Sequence, residues 1–248
     1  MLKLTGVDRG FEYLDDPALP PEIAARSLKD VALANMLFGG TRAILLEARA
    51  MFREQHAHGV RTLTLLDVGT GLGDIPMSLG QEAKRCGIAL RAVGLEITGA
   101  MAAAAQRPNL VAIAGDARTL PFADHSIDVI TCSLVLHHLD EADSVRMLRE
   151  CARVAKVRVI IADLRRSWVA VILLWLVSFP LRFHPYSRHD GVVSIRRGFS
   201  VPELRALIEL ACHTNARCAR HLGWRVTASW NPGTAFGDSS ANSTPITL

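Results

Sequence analysis

The chain has 248 residues, half of them hydrophobic and 21% charged, with a formal net charge of +4. That is enough apolar material for one large α/β domain, or for one domain with an added cap, and the small net charge gives no reason to expect a nucleic-acid partner. Five cysteines (Cys86, Cys132, Cys151, Cys212 and Cys218) are scattered, odd in number and without a C-x-x-C pair. This argues against a disulfide framework and against a zinc site, so no metal is expected and a reducing cytosol is. Met1–Gly10 has no apolar signal core, which fits a cytoplasmic protein.

Residues 1–19 read as irregular, with Phe11, Tyr13 and Leu14 able to dock on the domain. Asp15-Asp16-Pro17 and Pro20-Pro21 are turn and helix-start signals. A helix is predicted from about Pro21 to Phe38, with Ile23, Leu28, Val31, Ala32 and Asn35 on one side, and Gly39-Gly40 stops it. Thr41 can cap the next helix, whose apolar set Ile44, Leu45, Ala48, Met51 and Phe52 has helical spacing. Residues 1–59 thus form an N-terminal helical cap. It either packs against a sheet edge or lays its first helix over a substrate.

From Thr62 onward strand and helix alternate. Strands are predicted at 62–68, 89–96, 110–114, 127–133 and 157–163, and helices at about 74–86, 98–106 and 140–155. Such alternation implies parallel strands with right-handed crossovers, a doubly wound α/β sheet. Asp140, Glu141 and Asp143 open the 140–155 helix, as suits the positive end of its dipole. Its Val145, Leu148 and Ala152 face the core.

The pattern then changes. Residues 167–180 are apolar all round, yet shorter than the roughly 20 residues a bilayer span needs. Arg165, Arg166 and Arg182 flank them. The run reads as a lid helix lining an apolar pocket, with Trp175 as a substrate contact; a membrane-surface contact and a homodimer contact stay open for it. The polar, basic stretch from His184 to Phe199 belongs to the same insertion, so the lid covers about 165–199. Ser200 and Glu203 make a capping box, and Leu204, Leu207, Ile208 and Ala211 supply a buried helix face. Ala216–Leu222 and Trp224–Trp230, with Gly223 between, read as a closing hairpin. The main domain is placed at 60–230, and 231–248 reads as a disordered tail.

Four features fall at the carboxyl ends of these strands, where open α/β sheets hold ligands. The first is Asp67-Val68-Gly69-Thr70-Gly71-Leu72-Gly73-Asp74, a buried strand running into a glycine-rich turn and a helix start. Its glycines allow a sharp turn and a close approach of backbone to ligand. The second is Gly94-Leu95-Glu96, whose carboxylate can accept from two ribose hydroxyls. The third is Gly115-Asp116-Ala117, where the Asp can accept from an adenine amino group. The fourth is the strand from Ser126 to Leu139, which ends in Ser133, His137 and His138. A dinucleotide-binding dehydrogenase is the rival reading, but its fingerprint wants a glycine where Asp74 stands.

The run D-V-G-T-G-L-G-D, then L-E, then G-D-A-R-T-L-P-F-A-D-H-S-I-D-V-I, then L-H-H-L, resembles the class I S-adenosylmethionine-dependent methyltransferases. The branch it looks most like is that of the quinone C-methyltransferases, often called type 11, and the resemblance covers about residues 60–165. It implies a seven-stranded, mostly parallel sheet with an antiparallel C-terminal hairpin, and S-adenosylmethionine as cofactor. It also implies that Asp67, Gly69, Thr70, Gly71 and Gly73 hold the methionine end, that Glu96 binds the ribose, and that Ile97, Asp116 and Ala117 contact the adenine. Ser133 then sits near the transfer centre.

Methyl transfer needs alignment more than acid–base power, although a phenol or enol also benefits from a histidine base. The candidate catalytic groups are His137 and the pair His189 and Asp190; His138, Tyr186, Arg196 and Arg197 are candidate substrate contacts. No Asn/Asp-Pro-Pro-aromatic run stands after Ser133, which speaks against nucleic-acid substrates. The expected activity is methylation of an oxygen or carbon of an apolar small molecule, aromatic or polyketide-like. The alternative is a non-catalytic protein of the same fold that binds cofactor or lipid at a membrane surface.

Overall fold

In a computed structural model, residues 10–16 and 18–233 are described. Seven strands form one sheet: β1 (Thr62–Val68), β2 (Ala89–Glu96), β3 (Leu110–Ala114), β4 (Ile127–Ser133), β5 (Ala155–Leu164), β6 (Arg217–His221) and β7 (Arg225–Trp230). Their order is β3-β2-β1-β4-β5-β7-β6. The first five run parallel, and β7 is antiparallel to both its neighbours. The chain moves outward from β1 through β2 to β3, then returns to place β4 on the other side of β1. That reversal opens a crevice at the carboxyl ends of β1 and β4, where ligands of such sheets bind.

Successive side chains of a strand point to opposite faces, so β1 serves two cores. Leu63 and Leu65 meet Ile44, Met51 and Phe52 of α2 (Gly40–Ala57) and Ile75 and Leu79 of α3 (Asp74–Arg85). Leu66 and Val68 lie in the other core, with Met147 and Leu148 of α5 (Glu141–Val154) and Leu204 and Leu207 of α8 (Val201–Cys212). The short α4 (Gly99–Ala105) packs Ala102 and Ala105 on Ala112 of β3. A doubly wound sheet with an antiparallel end is therefore what the sequence builds. The capping box of Ser200 and Glu203 forms as expected.

The two N-terminal helices have different roles. α2 lies on the sheet face, and its buried Glu47 accepts from Thr227 and Ser229 of β7 at 3.2 and 3.1 Å. α1 (Pro21–Leu37) instead packs against α7 (Pro185–Arg197). The start of α2 differs from expectation: Thr41 is not its cap, because Gly39, at φ 74°, turns the chain two residues earlier.

A larger difference is α7. The stretch 184–199 carries no clear apolar period, yet Pro185–Arg197 is a helix. Pro185 opens it with a pre-set φ, and contacts from the N-terminal segment hold it. α6 (Trp168–Ser178) lies against α7, held by a small cluster of Leu164, Ala170 and Ile195. The expected irregular start at 1–9, Pro17, and the tail from 234 onward lie outside the described residues.

Candidate active site

The turn after β1 carries Gly69, Gly71 and Gly73 at φ 68°, 56° and 77°, a conformation only glycine adopts freely. A Cβ on Gly69 or Gly73 would strike Val135 or Leu110, whereas one on Gly71 would meet nothing within 4 Å. The backbone at Gly71 therefore borders open space. Gly71 N donates to Glu96 Oε1 at 2.5 Å, which ties the loop to the end of β2. A carboxylate has about four lone-pair positions, so this bond leaves Glu96 acceptor capacity for a ligand. Burial raises the Glu96 carboxyl above its ordinary range, and the Gly71 N–H works against that rise.

Asp67 lies beneath the loop, fully enclosed, and accepts from Thr131 Oγ1 at 2.6 Å. Burial pushes its carboxyl up to about 7. Asp74, at the first position of α3, is raised by burial as well, and its buried Oδ2 has no hydrogen-bond partner among the described residues. Open space at Gly71 next to an unsatisfied carboxylate oxygen is the signature of a polar ligand site.

Asp116, just past β3, is clamped by Arg118, which reaches its two oxygens at 2.9 and 2.7 Å. That hydrogen-bonded guanidinium holds the carboxyl below its ordinary range. Ala117 packs on the core beside it, and Ile97 stands 62% exposed at the rim after Glu96. Ser133 ends β4 and pairs in register with Ala162 of β5. Leu134 follows at φ 58°, a strained value for a branched side chain, as chain direction changes at the rim.

His137 is buried in the turn Leu136–His138. Its Nδ1 lies 2.6 Å from Asp163 Oδ1, while its backbone N donates to Asp163 Oδ2 at 3.3 Å. The ionised carboxylate cannot donate, so Nδ1 carries the proton of this bond, which in the neutral imidazole leaves the lone pair on Nε2. Burial acts to raise Asp163, but His137 and the Leu164 N–H outweigh it and lower the carboxyl below its ordinary value. Sequence reading missed Asp163 as a site residue. The signal was in the register: Ser133 pairs with Ala162, so residues just past each strand end must meet.

Beside it, His138 Nδ1 sits 3.1 Å from Asp15 Oδ2 and 3.8 Å from Glu12 Oε2. Burial opposes its charging, yet these two carboxylates prevail and raise its pKa. Glu12, His137 and His138 bring ligand-type atoms within 4.8 Å of one another. Glu12 is already held by Arg197 at 2.7 Å and Ser194 at 2.9 Å, which balances its charge.

These contacts make residues 10–16 a strap over the two histidines. Asp190 accepts from Tyr13 N at 2.9 Å and from Leu14 N at 3.0 Å, and His189 Nδ1 lies 3.1 Å from it. Tyr186 stacks on Tyr13 with 4.1 Å between ring centroids. Asp190, Tyr186 and Arg197 thus bind the strap. Arg196 and Trp175 lie on the exposed side of α7 and α6, away from His137. A cavity lined by Arg49, Arg53, His56, Glu82 and Arg85 sits at the opposite edge of the sheet, near the start of β2.

Residues 66–162 match the family profile of a methyltransferase domain. Over 93 residues the chain is 32% identical to an uncharacterized methyltransferase, YcgJ, of Bacillus subtilis, and over 94 residues 36% identical to a demethylmenaquinone methyltransferase of Thermotoga maritima. Each match covers 37% of this chain and 36% or 38% of the relative, so the chain spans well under half the length of the curated relatives it matches. Among solved structures, magnesium protoporphyrin IX methyltransferase from Synechocystis, with bound SAM, aligns at a TM-score of 0.51 with 13% identity, over 80% of this chain and 82% of that one. At that identity the likeness establishes the fold.

Proposed function

We propose that this chain, whose residues 66–162 match a methyltransferase domain, moves a methyl group from S-adenosylmethionine to an oxygen or carbon of an apolar small molecule. The observation that carries this reading is the joining of the Gly71 loop to Glu96, with the His137–Asp163 pair at the same sheet edge. The residues fit the cofactor: the carboxyl groups of Asp67 and Asp74 can meet its cationic end, open space adjoins Gly71, and Glu96 has acceptor capacity for two hydroxyls. When bound, the cofactor supplies an activated methyl group on a sulfonium.

In this reading Gly69, Thr70, Gly71 and Gly73 form the cradle and Glu96 fixes the ribose. Ile97 covers one adenine face, Asp116 and Ala117 the adenine edge, and Ser133 lines the transfer centre. His137 Nε2 takes the proton of a hydroxyl or enol substrate as the bond to carbon forms. Asp163 orients that imidazole and stabilises its charged form, as a buried carboxylate partner does. His138 lies beside it, under the strap. We assign α1, the strap, α6 and α7 to a lid over this centre, made by residues on both sides of the central domain. The partial similarity to a protein named demethylmenaquinone methyltransferase supports an aromatic acceptor.

Calorimetric titration with S-adenosylhomocysteine tests the reading. Wild type should bind, and Glu96→Ala should weaken binding about tenfold or more, the cost of a lost charge-assisted pair. No binding to wild type would return the loop to another nucleotide. Product formation with S-adenosylmethionine and a panel of phenols and quinones would then separate an enzyme from a non-catalytic binder.

A further inference from the structure

α6 inverts the usual layout of a surface helix. Its inward side is small, with Ala170 and Ser178 buried and Val171 and Leu174 packed on Leu164 and Ile195. Its large side chains face out: Trp168 is 71% exposed, Ile172 59%, Trp175 52%, Leu176 54% and Phe179 48%. Residues 168, 172, 175 and 179 follow helical spacing, so they form one stripe, with Val169, Leu173 and Leu176 beside it. A contiguous apolar patch of this kind marks an interaction surface.

The rim of the patch is basic. α7 runs alongside, and Arg188 lies 4.4 Å over the Phe179 ring at one end while Arg196 lies 5.9 Å from the Trp168 ring at the other. Arg182 is exposed beyond the helix end. From Arg165 to His189 the sequence has four arginines and no Asp or Glu. Glu203 pairs with Arg166 at 2.5 Å, and Asp30, which accepts from His184 N and Ser187 Oγ, is buried.

We propose that this face docks on a lipid surface carrying anionic headgroups, with α6 lying in the plane of the interface. Tryptophans at the level of the headgroups, apolar side chains below them and arginines at the edge are the arrangement such helices use. The charge pattern disfavours a second copy of the chain: a two-fold contact through α6 would set the arginines at one rim of the patch against those at the other. No single helix among the described residues is long and apolar enough to cross a membrane. The proposal does not depend on the transfer reaction, and failure of cofactor binding would leave it standing.

Co-sedimentation of the purified chain with phosphatidylcholine vesicles, with and without phosphatidylglycerol, is the test. Wild type should pellet with the anionic vesicles and less so as salt rises from about 0.1 to 0.5 M. The pair Ile172→Asp and Leu176→Asp should weaken partitioning about tenfold or more. The pair Arg182→Glu and Arg188→Glu should lose the preference for phosphatidylglycerol. Circular dichroism and thermal melts matching wild type would show that the variants fold. On wild type alone, brominated lipid should quench the emission of Trp168 and Trp175. Equal sedimentation of wild type and both double variants would overturn the proposal, as would an unquenched wild type. A dimer in solution that Ile172→Asp and Leu176→Asp disperse would assign the face to a second copy instead.

Discussion

His137 and Asp163 are 26 residues apart in the chain and 2.6 Å apart in the structure, with the carboxylate fully enclosed. The pair arises because β4 and β5 are parallel neighbours and β5 runs on past the end of β4, which sets Asp163 beside the turn that follows Ser133. If His137 is the base, His137→Ala should lower kcat about 10²- to 10⁴-fold while the dissociation constant for S-adenosylhomocysteine stays within about twofold. Asp163→Asn should lower kcat less and shift the acidic limb of the pH–rate profile, since the imidazole would lose its charged partner. Steady-state rates over a pH series, with the first acceptor found by screening, decide this. A His137→Ala enzyme at full rate would remove the base from the mechanism.

Gly71→Ala isolates the cradle from the fold. The new methyl would meet no protein atom within 4 Å, so the only cost to the protein is the positive φ of 56°, about 1–2 kcal/mol for a residue with a Cβ. The chain should therefore fold, with a modest fall in Tm. Binding of S-adenosylhomocysteine should drop about tenfold or more, because the methyl occupies the ligand's approach. Gly73→Ala should behave differently: its Cβ would lie 2.5 Å from Leu110 Cδ2, so stability should fall first. Thermal melts and calorimetry on both variants read the two effects separately.

The strands and the glycine loop were legible because their signals are local. Continuous apolar runs predict 62–68, 89–96, 110–114 and 127–133, and these are the spans of β1 to β4. The place of Glu96 beside the glycine loop was legible because it closes the apolar run of β2 at the same sheet edge. α7 was not, because its helix rests on partners far away: Asp190 holds the amides of Tyr13 and Leu14, and Arg197 holds Glu12. Residues Glu12 and Asp15 gave no sequence signal for the same reason. The outward side of α6 was equally hidden, since an all-apolar helix does not reveal in sequence which side the protein covers.

Asp67 makes stability depend on pH in the apo protein. Its folded pKa of about 7 stands above the unfolded value of 3.8, so between those values the folded state holds a proton the unfolded state has lost. Stability should therefore be greatest at acid pH with respect to this group and fall as pH rises toward 7, by a few kcal/mol at most. Asp67→Asn should flatten that slope in denaturant melts. A bound cationic methionyl end would favour the carboxylate, so binding near neutral pH should release a proton from Asp67. Calorimetry in buffers of different ionisation heat should show that release in wild type and not in Asp67→Asn. Equal heats in all buffers would mean that Asp67 does not meet the ligand's charge.

The strap should be pH-sensitive through His138 and Asp15. The folded pKa of His138 is raised above 6.5, so its contribution is complete below 6.5 and fades as pH rises through the folded value. Asp15 is lowered below 3.8: burial acts to raise it, and the bond to His138 more than offsets this. Its contribution is complete above 3.8 and fades as pH falls through the folded value. The pair is therefore strongest in the window between, and the strap should loosen on the alkaline side. Because both side chains reach solvent, the effect is small, about two- to fivefold in local opening. Hydrogen exchange at the Tyr13 and Leu14 amides, corrected for intrinsic rate, should show more protection near pH 6 than near pH 8. His138→Gln should lower protection at the acid end to the alkaline level and remove the difference. A wild-type strap equally protected at both values would show that the amide bonds to Asp190 hold it without help from the ion pair.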